Sequence, residues 1–209
     1  MKLVVVIPAL NEAERIGETI RSTQRASACE VEIIVVDGGS QDETAQRAAG
    51  AGARVVSSGP GRARQLAAGA RAAGGDVLLF LHADTRLPEG FDRAALCALG
   101  DPGVVGGAFR LRFDTRSLGL RIIEWGTRLR VALFRLPYGD QALFVRRATL
   151  EEMGGVPQAP IMEDLDLVDA MKRRGRLALL PLPAVTSARR YTAHGTLRTA
   201  LRHWAAMFA

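Results

Sequence analysis

The chain has 209 residues, of which 48% are hydrophobic and 24% charged, as in one ordinary globular domain rather than a disordered chain. No apolar run reaches the roughly 18 residues of a membrane span, and the N-terminal stretch turns polar too early for a signal peptide. We therefore expect a cytoplasmic protein. The formal net charge of +6, with no acidic residue after Asp169, indicates an anionic partner. Nucleic acid is disfavoured as that partner, because aromatic residues make up only 5% and do not interleave with a basic run.

Short apolar runs alternate with helical or turn segments in the first half of the chain. Such runs are typical of strands buried on both faces of a sheet, and they predict strands over 3–7, 31–36, 53–57 and 77–81. Apolar residues at helical spacing predict helices over 11–26 and 41–52. This order predicts an α/β fold with a mainly parallel sheet in a single domain. Later, 106–113 and 142–146 are predicted strands around a long basic helix.

Polar and glycine-rich segments follow all four early strands. They are "PALNE" with Glu12, "DGGSQDET" with Asp37, "SGPGRARQ", and "HADT" with Asp84. Each alone is also compatible with a turn or a helix cap, and Ser40 is the candidate cap of the helix after the second strand. Because open α/β sheets bind ligands at the carboxyl ends of their strands, the four together predict a ligand site there.

The segments "VVVIPALNE", "IIVVDGGSQDET", "LLFLHADT", "GDQALFVRR" and "MEDLDL", in this order, resemble the inverting nucleotide-sugar glycosyltransferases of glycosyltransferase family 2, which have the GT-A fold. The resemblance covers nearly the whole chain. More narrowly, "GRARQLAAGA", "FLHADT", "YGDQALFV" and "SARRY" resemble a small bacterial subgroup associated with radical-SAM and selenium-related gene clusters. The resemblance implies a nucleotide-sugar-binding half over 1–109 and an acceptor and catalytic half, with a basic C-terminal helix, over 110–209. It also implies a UDP- or GDP-sugar donor and an unknown acceptor.

The donor side must meet the negative charge of the departing nucleoside diphosphate with a divalent cation or arginines. The resemblance places Asp84, the end of a DxD-like motif, on Mn²⁺ or Mg²⁺, while His82 occupies the motif's first position. Asp84 and His194 are the predicted metal ligands, and a site that uses His82 or His194 favours manganese, which tolerates imidazole. The full set of predicted donor-binding residues is Pro8, Leu10, Glu12, Asp37, Gly39, Arg62, Arg64, His82, Ala83, Asp84, Arg189 and Arg190.

Inverting transfer also needs a general base for the acceptor hydroxyl. The resemblance implies that the acidic pair Glu163 and Asp164 supplies it, with Asp164 as the base and Glu163 on the acceptor side. The alternative for this pair is a favourable charge at a helix N-terminus. Gly139, Asp140 and Gln141 are predicted to line the acceptor side, and the alternative for them is a tight turn before a strand.

The segment 117–137 has an amphipathic pattern, with Arg121, Glu124 and Arg128 away from an apolar stripe. The stripe consists of Leu118, Ile122, Trp125, Leu129 and Leu133. We expect this helix to be half buried, with a membrane anchor as the alternative. The last segment repeats the pattern through Leu197, Leu201, Trp204 and Phe208 and needs a lipid surface or another subunit unless the chain end frays. Peripheral membrane contact and a homo-oligomer therefore remain open.

Two other functions compete with glycosyl transfer. A nucleotidyltransferase should carry a glycine-rich loop with Arg or Lys directly after its first strand, where this chain has "PALNE". A binding or scaffold protein could keep the fold without turnover, and His82 in place of the first acid of the motif favours that alternative. Hydrolysis of a donor sugar nucleotide separates an enzyme from a scaffold.

Overall fold

The computed structural model of the protein describes residues 1–158 and 163–189. Its strands are β1 (Leu3–Ala9), β2 (Glu32–Asp37), β3 (Arg54–Ser57), β4 (Val77–Phe80), β5 (Thr85–Arg86), β6 (Val104–Phe113), β7 (Phe144–Arg146) and β8 (Arg176–Thr186). Its helices are α1 (Ile16–Ala26), α2 (Thr44–Gly50), α3 (Arg62–Ala72), α4 (Phe91–Ala98), α5 (Leu118–Phe134), α6 (Arg147–Glu152) and α7 (Glu163–Lys172), and a 3₁₀ turn spans Gly139–Gln141.

The strands form one sheet in the order β3-β2-β1-β4-β7-β6-β8-β5. The first four predicted strands are present and pair in parallel around β1, with β2 and β4 beside it and β3 outside β2. β7 is antiparallel to both β4 and β6, whereas β6 and β8 pair in parallel. The predicted α/β fold with a mainly parallel sheet is confirmed. The predicted border between halves, at residues 109 and 110, falls inside β6, so both halves share this sheet.

The core lies on both faces of the central strands, and β1 is buried from Leu3 to Ile7. α1 covers one face with Ile16 and Ile20. α3 covers the other face so closely that a Cβ at Gly69 would collide with side chains of β1 and β2. This contact fixes the N-terminus of α3 beside the carboxyl ends of those strands.

Several details of the first half differ from the prediction, among them the start of α1, which is Ile16 rather than residue 11. β3 is not buried on both faces, because it is the edge strand, and both Arg54 and Ser57 are exposed. Ser40 does not cap the following helix, since α2 begins only at Thr44. Its hydroxyl instead accepts a hydrogen bond from the backbone N–H of Asn11 at 2.9 Å.

The pattern did not predict α4, β5 or β8, and β8 is the longest strand described. β8 contains Pro181 and Pro183, which lack the N–H that a central strand needs. The structure accommodates them because the register against β6 shifts between Ala108 and Arg110, and because the other edge of β8 pairs only with the two residues of β5. β8 places Ser187 and Arg189 next to the first half of the molecule.

α5 lies within the predicted segment 117–137 but ends at Phe134, and Ser117 caps it by accepting a hydrogen bond from the N–H of Leu120 at 3.2 Å. The expectation that its apolar stripe is half buried is wrong, because the five stripe residues are 44–80% exposed. The helix is instead anchored by Leu120, Thr127 and Val131 on the opposite side. In the described ranges no helix is both long and apolar enough to cross a membrane.

Candidate active site

A cavity of about 350 Å³ opens at the carboxyl ends of β1 and β4, beside the N-terminus of α3. We call it the donor-side cavity. It is lined by Pro8, Ala9, Leu10, Glu12, Gly61, Arg62, Gln65, His82, Ala83 and Asp84. Seven of these are predicted donor-binding residues, which come from three separate segments of the sequence. The cavity has the size of a small-molecule site.

The loops after β1 and β2 are joined by hydrogen bonds into one rim of this cavity. Asn11 adopts a left-handed φ of 54°, which Asn tolerates better than most residues, and its side-chain oxygen accepts from the N–H of Gln41 at 2.8 Å. The N–H of Glu12 donates to the hydroxyl of Thr44 at 2.8 Å. These bonds delay the start of α1 to Ile16 and direct Glu12 into the cavity.

Asp37 and Gly39 lie behind that rim rather than in the lining of the donor-side cavity. The carboxylate of Asp37 accepts hydrogen bonds from the backbone N–H groups of Gly39, at 3.2 Å, and Ser40, at 3.1 Å. Gly39 supplies the positive φ of 93° that this turn requires. In this structure Asp37 therefore holds its own loop.

Gln65 is a site residue that the sequence did not reveal. Its buried amide donates to the carbonyls of Ala9, at 2.8 Å, and Val36, at 2.9 Å, and so bridges the ends of β1 and β2. A Cβ at Gly38 would lie 2.9 Å from this amide, so the first glycine of "DGG" makes room for Gln65. The only sequence signal was its position in the "GRARQ" segment. Arg64, in the same segment, is exposed and outside the cavity lining.

The "HADT" turn is held from two sides. The hydroxyl of Thr19 on α1 donates to the carbonyl of Ala83 at 2.6 Å, and the N–H of Ser187, just after β8, donates to the carbonyl of Asp84 at 3.2 Å. The side chain of Asp84 is only 11% exposed. The turn therefore presents a shielded carboxylate to the cavity.

Glu12, Asp84 and Arg189 form an acidic and basic cluster at the cavity wall. The guanidinium of Arg189 bonds to Oε1 of Glu12 and lies 3.8 Å from Oδ2 of Asp84. Oε2 of Glu12 is buried and has no hydrogen-bond partner within the described ranges. Arg190 and His194, the other predicted residues of this region, lie outside the described residues.

This cluster fits a divalent cation bound together with a diphosphate. Among residues 1–158 and 163–189 no group of three or more His, Cys, Asp or Glu side chains could hold a metal. However, Mg²⁺ and Mn²⁺ in such sites usually need only one or two carboxylates, because substrate phosphates complete the shell. Asp84 and Oε2 of Glu12, which lies 4.0 Å from a guanidinium nitrogen of Arg15 without a hydrogen bond, would supply two hard oxygen ligands.

Arg62, the first residue of α3, connects the donor-side cavity to α7. Its Nε lies 3.0 Å from Oε1 of the buried Glu163, and its terminal nitrogen contacts Nε2 of His82. His82 is therefore directed toward Arg62 and Gly139, where a Cβ would lie 3.2 Å from its Nε2. The imidazole and the predicted acidic pair meet at this point.

Asp164 lies at the same junction, in the first turn of α7. Its Oδ2 accepts a hydrogen bond from the N–H of Gly139 at 2.7 Å, and its Oδ1 accepts from the N–H of Leu165 at 3.1 Å. A Cβ at Gly139 would lie 3.2 Å from Asp164 Oδ2 and would collide with Arg62. With a larger residue at position 139, Arg62 would have to move and the contact with Asp164 would tighten.

Asp140 follows Gly139 and is shielded from solvent at Oδ1, which has no partner in the described part of the chain. Burial raises the pKa of Asp140 to about 6, and the negative charge of Asp164 adds to the rise while Arg130 opposes it. The predicted acceptor side thus contains a carboxyl group with a raised pKa, beside the predicted base.

Gln141, the last residue of the 3₁₀ turn, and Tyr138, the residue before the turn, make structural contacts. The amide of Gln141 is buried, donates to the carbonyl of Phe109 at 2.9 Å and accepts from the N–H of Tyr138 at 3.2 Å. The guanidinium of Arg130, on α5, stacks 3.4 Å from the centroid of the Tyr138 ring. α5 is therefore fixed directly to the acceptor side.

Taken together, the single α/β domain, its curled and mostly parallel sheet, and the site at the carboxyl ends of the strands define a GT-A fold. Residues 4–150, more than half of the chain, match Glycosyl transferase family 2, and the chain belongs to this family. The predicted family is confirmed, whereas the narrower gene-cluster subgroup stays a prediction.

Curated relatives match parts of the chain. Glucosyl-3-phosphoglycerate synthase of Mycolicibacterium smegmatis is 38% identical over 95 residues, which cover 41% of this chain and 31% of that protein. Undecaprenyl-phosphate 4-deoxy-4-formamido-L-arabinose transferase of Enterobacter sp. is 37% identical over 141 residues, 59% of this chain and 42% of that protein. The chain thus spans between 29% and 42% of the length of the curated relatives it matches.

Among solved structures, glucosyl-3-phosphoglycerate synthase from Mycobacterium tuberculosis superimposes with a TM-score of 0.65 and 26% identity, covering 88% of this chain and 71% of that one. That structure is a complex with Mn²⁺, UDP-glucose and phosphoglyceric acid. Another structure of the same protein contains Mg²⁺ and UDP.

Proposed function

We propose that this protein transfers a sugar from a UDP-sugar to an acceptor hydroxyl, with inversion at the anomeric carbon. The observation that supports this most is the junction at which Arg62, His82, Gly139 and Asp164 meet beside the donor-side cavity. Family membership and the UDP-glucose bound by a structural relative favour UDP over the other nucleotides. The sugar moiety and the acceptor are left unassigned.

On the donor side, Asp84 and Glu12 would hold Mn²⁺ or Mg²⁺. When bound, the cation supplies positive charge that stabilises the departing diphosphate. Arg62 and Arg189 lie at the same cavity and add positive charge from the protein. The first turn of α3, with Gly61 and Arg62 in the cavity lining, adds backbone N–H groups suited to phosphate oxygens.

On the acceptor side, Asp164 is the proposed general base. Glu163 is less suited to that role because it is paired with Arg62, whereas Asp164 accepts its hydrogen bonds from the backbone N–H groups of Gly139 and Leu165. Those two bonds fix the orientation of the carboxylate, and proton abstraction from the attacking hydroxyl needs such a fixed position. Gly139 and Asp140 would lie next to the incoming acceptor.

Calorimetric titration with UDP, GDP, dTDP and CDP, each with Mn²⁺ and with EDTA, tests the donor half of this proposal. We expect UDP to bind in the presence of Mn²⁺ and to bind more weakly with EDTA. Binding of GDP alone would show that the nucleotide is wrong while leaving the reaction class intact. If none of the four binds, a scaffold without turnover becomes the better description.

A further inference from the structure

The outer face of α5 presents an apolar stripe to solvent. Nine large apolar side chains are exposed in the described part of the chain, and six of them belong to α5. Five of these, at about 100° per residue, fall within an arc of roughly 80°. We call them the α5 stripe, and they are Leu118, Ile122, Trp125, Leu129 and Leu133. Contiguous exposed apolar surface of this kind marks a binding site more often than a solvated face.

Positive charge runs along one flank of the α5 stripe. Arg121, Arg128 and Arg135 are exposed and follow one another at seven-residue intervals. Within residues 1–158 and 163–189, no carboxylate forms an ion pair with any of the three. Glu124, the acidic residue of α5, turns away and accepts a hydrogen bond from the N–H of Phe113 at 2.7 Å. The outer face of the helix is therefore apolar and basic.

The orientation of α5 is fixed by contacts on its inner side. Leu120 and Val131 are buried, and Nε of Arg130 donates to the carbonyl of Leu136 at 3.0 Å. Nζ of Lys172, on α7, donates to the carbonyl of Phe134 at 3.1 Å. A rotation of α5 that buried the stripe would break these contacts. The contacts therefore keep the stripe on the outside of the molecule.

We propose that the α5 stripe and its arginine flank seat the protein on the surface of an anionic lipid bilayer. Leucine, isoleucine and tryptophan side chains suit the boundary between acyl chains and headgroups, and arginines suit the headgroup phosphates. The 3₁₀ turn on the acceptor side begins five residues after α5 ends and is joined to it through Arg130. The lipid surface would thus lie next to the acceptor side.

Two other occupants of this face are a second copy of the chain and residues 190–209, and charge favours lipid over both. A second copy would bring the same basic face without an acidic counterpart on the outer side of α5. Residues 190–209 contain arginine and histidine but no acidic residue, so they offer these arginines no opposite charge either. In an anionic bilayer the acyl chains supply an apolar environment for the stripe, and the phosphate-bearing headgroups supply negative charge for the arginines.

This proposal does not depend on the proposed function, because no residue of the α5 stripe or of its arginine flank lines the donor-side cavity described above. The test is co-sedimentation of the full chain with phosphatidylcholine vesicles, with and without about 25% phosphatidylglycerol. We expect at least about tenfold stronger binding to the anionic vesicles, weakened by added salt because the attraction is screened.

Three variants assign that binding to α5. Trp125→Ser combined with Leu129→Ser, and Arg121→Glu combined with Arg128→Glu, should each reduce vesicle binding by about tenfold or more. Arg93→Glu, a single charge reversal on an exposed position of α4, should leave it unchanged. Because these side chains are exposed, all variants should keep the thermal unfolding of the wild type.

Several results would overturn the proposal. Equal binding to neutral and anionic vesicles, or no binding to either, excludes an anionic lipid surface as the partner. Vesicle binding that the α5 variants retain would place the contact elsewhere in the chain. A dimer in sedimentation velocity that Trp125→Ser dissociates would assign the stripe to a second copy instead.

Discussion

The donor side of the site lies at the carboxyl ends of the buried parallel strands β1 and β4, whereas the predicted acceptor side lies on a 3₁₀ turn and the first turn of α7. On the donor side most polar groups are fixed by hydrogen bonds between neighbouring loops, as with Glu12 and Thr44. Among the described residues, a buried oxygen without a hydrogen-bond partner occurs on both sides, at Oε2 of Glu12 and Oδ1 of Asp140, and on the acceptor side burial also raises the pKa of Asp140. We therefore expect substitutions on the donor side to change mainly nucleotide binding, and substitutions on the acceptor side to change mainly the rate of transfer.

Substitution of Asp164, the proposed base, should have the largest effect, and this effect should be on the rate of transfer rather than on donor binding. We expect Asp164→Asn to slow transfer of the sugar from its UDP-sugar donor, measured as donor hydrolysis, by about 10²–10⁴-fold, the usual contribution of a general base. Its affinity for UDP should be largely unchanged, because Asn still accepts the hydrogen bond from Gly139. Asp166→Asn, an exposed position on the same turn, is the matched control. A wild-type rate in Asp164→Asn would show that the base is another residue.

The donor side should respond in the opposite way. Asp84→Ala should weaken Mn²⁺-dependent binding of UDP by about tenfold or more, which corresponds to about 1.4 kcal/mol. Binding in EDTA should change little, since the carboxylate acts through the cation. Asp76→Ala removes an exposed carboxylate just before β4, the strand that leads to Asp84, and serves as the control. Equal losses with Mn²⁺ and with EDTA would argue against a metal contact by Asp84.

The contact between the two sides can be broken at one glycine. In Gly139→Ala the new methyl group would press on Arg62, His82 and Asp164, so we expect the free energy of unfolding to fall by about 1–3 kcal/mol. Activity should fall as well, because the three groups must move apart. Gly126→Ala, on α5 with open space around the added atom, should raise stability by up to about 1 kcal/mol. Chemical denaturation of both variants measures the difference, and equal stabilities would contradict the described junction.

The smallest expected effect concerns the pH dependence of stability. The pKa of Asp140 is higher in the folded chain than its ordinary value of 3.8. Its contribution to stability is therefore fully present below about pH 4 and is lost as the pH rises through about 6. Asp140→Asn should raise the free energy of unfolding by on the order of 1 kcal/mol at pH 8, and by less at pH 4. Thermal unfolding at the two pH values checks this, and an equal effect at both would mean that Asp140 titrates normally.

The sequence predicted the donor side better than the acceptor side for a physical reason. Strands buried on both faces are recognisable as local apolar runs, and the residues that follow them must meet at one edge of the sheet. Glu12, His82 and Asp84 were found in this way. Gln65 was missed because a buried glutamine in an alanine-rich helix has no local signal. Its hydrogen-bond partners lie far away in the sequence, on β1 and β2. β8 was missed because proline disfavours a central strand. Only the structure shows the register shift against β6 and the short pairing with β5 that accommodate its two prolines.

Other features depended on contacts between distant parts of the chain. Arg189 bonds to Glu12 across 177 residues, and Arg62 pairs with Glu163 on a helix from the opposite half. Local patterns contain no information about such pairs, because side chains that meet through folding need share no spacing along the sequence.

The sequence by itself determined the first four strands, the polar segments that follow them and the existence of an amphipathic α5. Only the tertiary structure decided that Gly139 joins the two sides of the site and that the α5 stripe points outward. Helical periodicity defines two faces of a helix, but the face that becomes buried is chosen by the contacts of Leu120 and Val131 with the rest of the molecule.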